Sequence, residues 1–295
     1  MEIIWSRVEP EAMVIVAVPS LPATVSTVSA VKAEVTLAME VPAVVAFVAA
    51  AVRNTGYDTE AMGASGPIKL TEIMGRNAGW LTAAAALAKE GPDDAPHLIY
   101  VPEHGVTLDQ VLADIKAVYD RLGHCVVAVS EGLCDPEGQP LALRSASGEV
   151  DAFGHGRLGG VVELLDQAVS ERLGLRARYD KPGYLQRSFA SLQSSVDREE
   201  AYQVGRAAVR AALAGESDKM VSLLRELGPT YRATTGLADL ERVANAVHIL
   251  PKDYINEAGN GVTEGFLDYA RPLIGGPLPP YARLARHLTP KRSRK

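Results

Sequence analysis

The sequence predicts an α/β protein of three layers, a mostly parallel sheet flanked by helices. Two observations carry that expectation. From residue 61 onward short strand patterns alternate with helical ones, and such alternation builds right-handed crossover units on a parallel sheet. Hydrophobic residues make up 47% of the 295, enough for a full-sized core.

The elements follow in order. Ile68 to Ile73 alternates apolar and polar residues with period two, Met74-Gly75-Arg76 breaks the pattern, and Asn77 opens an Ala-rich helix to about Lys89. Residues 98–101 (Leu-Ile-Tyr-Val) form a short buried strand that ends in Pro102-Glu103. Leu108, Val111, Leu112, Ile115, Val118 and Tyr119 fall on one stripe, so 108–122 is an amphipathic helix. Residues 125–129 are the next strand, ending in Ser130-Glu131-Gly132. Residues 151–160 read as loop, and 161–173 as a helix with Val161, Leu164, Leu165, Ala168 and Val169 on its apolar face. Asp197 and Glu200 read as a capping pair opening a helix that stops at Gly215, with Val204, Ala208 and Ala211 inward. Past Gly259 the chain turns Gly- and Pro-rich, and its basic tail at 291–295 is expected to be disordered.

This order has a functional consequence. Ligands of open α/β sheets sit beyond the carboxyl ends of the strands. Three consecutive strands end in Met-Gly-Arg, Pro-Glu and Ser-Glu-Gly, which points to one crevice.

Charge and motif content exclude several functions. A formal net charge of -6 repels nucleic acid and anionic membranes, so an anionic substrate needs a local cluster of arginines. Cys125 and Cys134 have no metal-ligand spacing and suit a reduced cytosolic setting. Residues 12–31 are uncharged and long enough to span a bilayer, yet Pro19, Pro22 and several Ser and Thr interrupt them, and a soluble chain without a signal peptide is expected. The six histidines show no paired-ligand spacing, and no serine-hydrolase elbow or Walker-type loop is present. The Gly-His-Gly-Arg-Leu-Gly run at 154–159 has dinucleotide-fingerprint spacing but no strand before it, and reads as a loop and helix start.

Residues 178–187 (Arg-Tyr-Asp-Lys-Pro-Gly-Tyr-Leu-Gln-Arg) place three cations and two tyrosines in one loop. The planar fork of arginine donates two parallel hydrogen bonds to phosphate. With Arg76 on a separate strand end, two or three arginines would converge on one phosphate.

At this point the residues resemble a known family. Glu72-Ile-Met-Gly-Arg-Asn-Ala-Gly-Trp80, Tyr100-Val-Pro-Glu103, Val129-Ser-Glu-Gly132 and Lys181-Pro-Gly-Tyr-Leu-Gln-Arg187 follow the order of the phosphofructokinases. The pattern is similar to the pyrophosphate-dependent branch and its ATP-using relatives, and Phe266-Leu-Asp-Tyr-Ala-Arg-Pro-Leu273 supports that subgroup. The resemblance runs from about residue 48 to 285. It implies that Met74, Gly75 and Arg76 contact fructose 6-phosphate, and that Glu103 bonds the sugar hydroxyls. It further implies that Arg178 and Arg187 surround the 6-phosphate with Tyr184. Also implied are a glycolytic phosphotransferase, ATP or pyrophosphate as donor, Mg²⁺, a cytoplasmic setting and a homo-oligomer whose phosphate arginines cross the subunit interface.

The departures are as specific. The family's Gly-Gly-Asp loop and its Pro-Lys-Thr-Ile-Asp-Asn-Asp base motif are absent, and no aspartate lies between Met1 and Tyr57. Val16-Ala-Val-Pro19 resembles the strand leading into that motif. Back-translated and read two nucleotides later, residues 37–42 give Gly-Tyr-Gly-Ser-Ala, which resembles the family just past its aspartates. This predicts a frameshift between about residues 20 and 46. The domain reading is a remnant of the donor domain (1–60), a fructose 6-phosphate-binding domain (61–187), a helical return (188–250) and a C-terminal extension (251–295). No catalytic or metal-binding residue is assigned, and little turnover is expected. The alternatives are a non-catalytic sugar-phosphate-binding subunit beside an intact paralogue, or a frameshifted fragment whose apolar stretch at 41–52 promotes aggregation.

Overall fold

A computed structural model describes residues 12–18, 41–142, 160–226, 228, 230–243 and 247–282. The run at 154–159, most of the interval 20–46 and the tail at 291–295 lie outside the described residues. The chain runs β1 (Ala12–Val18), α1 (Val41–Met62), β2 (Ile68–Ile73), α2 (Trp80–Ala83), β3 (Leu98–Tyr100), α3 (Leu108–Leu122) and β4 (Cys125–Ser130). It continues with α4 (Val161–Ala168), β5 (Ala177–Asp180), α5 (Ser195–Leu213), β6 (Lys219–Arg225), β7 (Ala233–Asp239), α6 (Leu240–Val243) and α7 (Glu264–Ala270).

Two sheets result. The larger has the order β3-β4-β2-β5, and every pair in it is parallel. Successive side chains of a strand point to opposite faces, and β4 shows the result. Cys125, Val127 and Val129 join Leu70, Leu112, Ile115 and Leu165 in a core beneath α3 and α4. Val126 and Ala128 join Val48, Val52, Ile73, Ala85 and Phe266 beneath α1 and α7. Both faces are covered, so the three-layer α/β expectation holds.

Helix α3 forms as its stripe requires: Thr107 caps it by accepting from the Gln110 N–H, and Gly123, at φ 76°, ends it. The apolar stretch at 41–52 lies in α1, whose Val44, Val48 and Val52 are buried every fourth residue against the sheet. That spacing gives the stretch a partner within the fold. Among the described residues no helix is long and apolar enough to cross a membrane.

Four local expectations need correction. The Ala-rich helix begins at Trp80 rather than Asn77, because the Gly79 N–H is drawn to Glu103 instead of a helical turn, and it tightens to a 3₁₀ helix over Ala84–Ala88. The cap of α5 is Ser194, whose extended backbone lets its Oγ accept from the Asp197 N–H at 3.3 Å. Asp197 and Glu200 lie inside that helix and are buried. Residues 178–187 are not one loop: Arg178 pairs in register with Lys69 as part of β5, and Gly183–Arg187 is a 3₁₀ turn. The segment 188–250 contains two strands besides α5.

Those strands build the smaller, antiparallel sheet, β1-β6-β7. Val204 and Ala208 of α5 pack on Val221 and Leu223, while Met220 and Ala238 turn to the other face beside Val243.

Candidate functional site

Because β3, β4 and β2 are neighbours, their carboxyl ends meet. The loop after β2 is held by the other two ends and by the turn after β5. Gln186, only 1% exposed, accepts from the Met74 N–H at 3.2 Å. Glu131 Oε1 accepts from the Gly75 N–H at 3.2 Å, and Ser130 Oγ donates to the Gly75 carbonyl at 2.7 Å. Glu131 returns its own N–H to the Ile73 carbonyl at 3.0 Å. Glycine is required twice here. Gly75 has φ +128°, and a Cβ on Gly132 would stand 1.8 Å from the Arg76 carbonyl oxygen. The sequence Met-Gly-Arg thus adopts one backbone course, fixed on both sides.

Glu103 closes the crevice on the β3 side. Its Oε1 accepts from the Gly79 N–H at 2.8 Å and from the Leu250 N–H at 2.7 Å. Its Oε2 is buried and has no hydrogen-bond partner among the described residues. Burial raises the Glu103 pKa, opposed by the N–H groups of Gly79 and Leu250. One oxygen is therefore anchored and the other is left as an acceptor, for which a ligand hydroxyl is the natural donor.

The cations divide. Arg76 is exposed at the loop. Arg187 stacks on Tyr184, its guanidinium carbon 4.6 Å from the ring centroid, and Tyr184 is 72% exposed. Gln186 ties this turn to Met74, so Tyr184 and Arg187 neighbour the Met-Gly-Arg loop. Arg178 faces α1 instead, with Nη1 donating to Asp58 at 2.8 Å and Nη2 to Thr59 at 3.4 Å. Lys181 bridges Glu163 and Glu72 at 3.0 and 3.4 Å. Burial raises the Glu72 pKa and Lys181 opposes that rise.

The structure brings Met74, Gly75, Arg76, Glu103, Tyr184 and Arg187 to one end of the sheet and leaves Arg178 paired on a helix. Sequence reasoning missed the supports: Gln186, Ser130, Glu131 as an acceptor, and the Leu250 N–H. Gln186 lies within the matched Lys-Pro-Gly-Tyr-Leu-Gln-Arg run and could have been found there. A backbone donor such as Leu250 leaves no trace in residue type.

The phosphofructokinase family model matches residues 23–212. The chain belongs to the phosphofructokinase family. The match begins inside the interval 20–46, upstream of where the motif resemblance resumes. The pyrophosphate–fructose 6-phosphate 1-phosphotransferase of Rhodospirillum rubrum is 40% identical over 249 residues, covering 82% of this chain and 60% of that protein. The enzyme of the same name from Xanthomonas campestris pv. campestris is 40% identical over 234 residues, 79% of this chain and 56% of that protein. The crystal structure of the pyrophosphate-dependent phosphofructokinase of Marinobacter aquaeolei superposes with a TM-score of 0.68 at 31% identity, covering 85% of this chain and 61% of that one. The chain thus spans a little over half the length of the curated relatives it matches.

Proposed function

We propose that this chain binds fructose 6-phosphate in the crevice at the carboxyl ends of β2, β3 and β4, as the sugar-phosphate half of a 6-phosphofructokinase. The observation that carries the reading is Glu103, a buried carboxylate with one oxygen fixed by two N–H groups and the other unpaired. Such an oxygen accepts a sugar hydroxyl, while Arg76 and Arg187 supply the positive charge a phosphate needs. The Met74 to Arg76 backbone, held by Gln186, Ser130 and Glu131, orients the sugar without rearranging. The relatives' names describe transfer to position 1 of the sugar from pyrophosphate. For this chain the acceptor is fructose 6-phosphate, and the donor, in an intact enzyme, is ATP or pyrophosphate.

By itself the chain is expected to transfer little phosphate. Phosphoryl transfer needs a base to take the hydroxyl proton and cations to neutralise the developing charge. Mg²⁺ is the family's expected cation, yet among the described residues no three His, Cys, Asp or Glu side chains gather to hold one. The reading further includes a cytoplasmic homo-oligomer in which Arg178, freed from Asp58, serves a neighbouring subunit's phosphate.

Calorimetric titration with fructose 6-phosphate, repeated on Arg187→Ala, tests the proposal. Binding that the substitution weakens at least tenfold supports the site, and a well-folded protein that takes up no sugar phosphate overturns it. Binding without turnover favours a non-catalytic subunit beside an intact paralogue.

A further inference from the structure

Behind the crevice stands Trp80, the first residue of α2 and the direct neighbour of Gly79. Its indole Nε1 donates to the His248 carbonyl at 2.9 Å. The two rings stack, with centroids 5.1 Å apart and planes 24° from parallel. The indole also meets Tyr254 edge-on and lies 5.4 Å from Tyr269, centroid to centroid. Aromatic contacts on several sides hold the indole as a wedge between α7 and the segment 247–250.

That segment meets the protein through alternate residues. Val247 and Ile249 are exposed, whereas His248 is half-buried and Leu250 fully buried. One inward residue is held by Trp80, and the next inward residue donates its N–H to Glu103 Oε1. The other donor to the same oxygen is Gly79, on the opposite flank of Trp80. Both N–H groups that fix Glu103 are therefore tied to the indole, one through a peptide bond and one through His248. Glu103 Oε2, the buried oxygen without a hydrogen-bond partner, lies against Gly79, where an added Cβ would stand 2.6 Å from it. A carboxylate held by two donors turns when either donor moves, so the direction of Oε2 depends on where the Leu250 N–H sits.

Given the crevice as a fructose 6-phosphate site, we propose that Trp80 is a positioning residue for sugar recognition, which pins His248, keeps the Leu250 N–H on Glu103 Oε1, and so aims Oε2 at a sugar hydroxyl. It acts through Glu103 and not on the sugar. Preorganisation of this kind fails when the support behind a binding group loosens.

The test is calorimetric titration with fructose 6-phosphate and, separately, inorganic phosphate, on the full chain, Trp80→Phe, Glu103→Ala and the double variant. Trp80→Phe keeps an aromatic wedge and deletes the N–H. It is expected to weaken fructose 6-phosphate binding about fivefold or more, the worth of one hydrogen bond. Inorganic phosphate, which needs the arginines and not Glu103, is expected to change by less than about twofold. In the Glu103→Ala background the same substitution is expected to change sugar phosphate binding by less than about twofold, because the carboxylate it positions is gone. His248→Ala removes the stacked ring and keeps the carbonyl, and a weakening in the same direction is expected. It replaces Trp80→Phe in the cycle if unfolding temperature shows that variant misfolded. Unchanged affinity, an equal loss in the Glu103→Ala background, or an equal loss of inorganic phosphate binding would each overturn the proposal and leave Trp80 a packing residue. An unsubstituted chain that binds no fructose 6-phosphate would overturn the reading of the crevice itself.

Discussion

The two sheets of this molecule solve different problems. In the parallel sheet every residue of β4 is buried, and helices cover both faces. In the antiparallel sheet β7 is mostly exposed, and the core beneath α5 is a cluster of four buried side chains, Val204, Ala208, Val221 and Leu223. Parallel strands bring all their carboxyl ends to one side, so the loops that follow them converge. Antiparallel strands send successive loops to opposite ends. The difference teaches why the candidate site draws on one sheet only: Met74, Glu103 and Glu131 each follow a parallel strand, and each braces a neighbour.

The contrast can be broken in four ways. The largest effect is expected from Leu70→Ala in β2, where a fully buried side chain leaves a cavity costing about 2–5 kcal/mol, measured by chemical denaturation. A cost below that of a surface change would mean the parallel half is not the stable one. Next is Glu103→Ala, which strands the Gly79 and Leu250 N–H groups and is expected to cost about 1–3 kcal/mol. Glu103→Gln, which keeps an acceptor for both, should restore most of that stability without restoring full sugar binding.

The third is pH dependence. His97 accepts the Val126 N–H at Nδ1, and its pKa falls from 6.5 to about 4. The folded protein therefore binds fewer protons than the unfolded chain in that window, and stability is lost as pH falls from 6.5 toward 4, by on the order of 1–3 kcal/mol. His97→Asn, which keeps an acceptor for Val126, is expected to remove this component of the acid slope. Comparing the two proteins isolates it from Glu72 and Glu103, whose raised pKa values act with the opposite sign. An unchanged slope would show that His97 does not titrate as described. The smallest effect is expected from Leu237→Ala in β7. This residue is 46% exposed, and its loss should change stability by no more than about 0.5 kcal/mol. A larger cost would show that β7 is covered in solution.

Legibility in the sequence follows the same division. Ile68–Ile73, Leu98–Tyr100, Leu108–Leu122 and Cys125–Ser130 were readable nearly to the residue, because β2 alternates with period two, β3 and β4 are apolar runs and an amphipathic helix marks its own stripe. Helix α1 was not, since Val and Ala at 41–52 fit a buried strand as well as a buried helix. Strand β7 was missed for another reason: Ala-Thr-Thr-Gly-Leu-Ala-Asp has little apolar alternation, and its strand state comes from pairing with β6. At the site, Met74, Gly75, Arg76 and Glu103 were legible as strand ends. The ion pair of Arg178 with Asp58 was not, because it joins residues 120 apart in sequence.

The bond between Glu103 and the Leu250 N–H spans 147 residues. It makes the crevice a late event in the life of the chain. On the ribosome, β2, β3 and β4 can emerge and pair while Glu103 still lacks its second N–H donor. Only once Leu250 has cleared the exit tunnel can that carboxylate take its final pose. A nascent chain arrested before that point would carry the paired sheet with its crevice still unfinished on the Glu103 side.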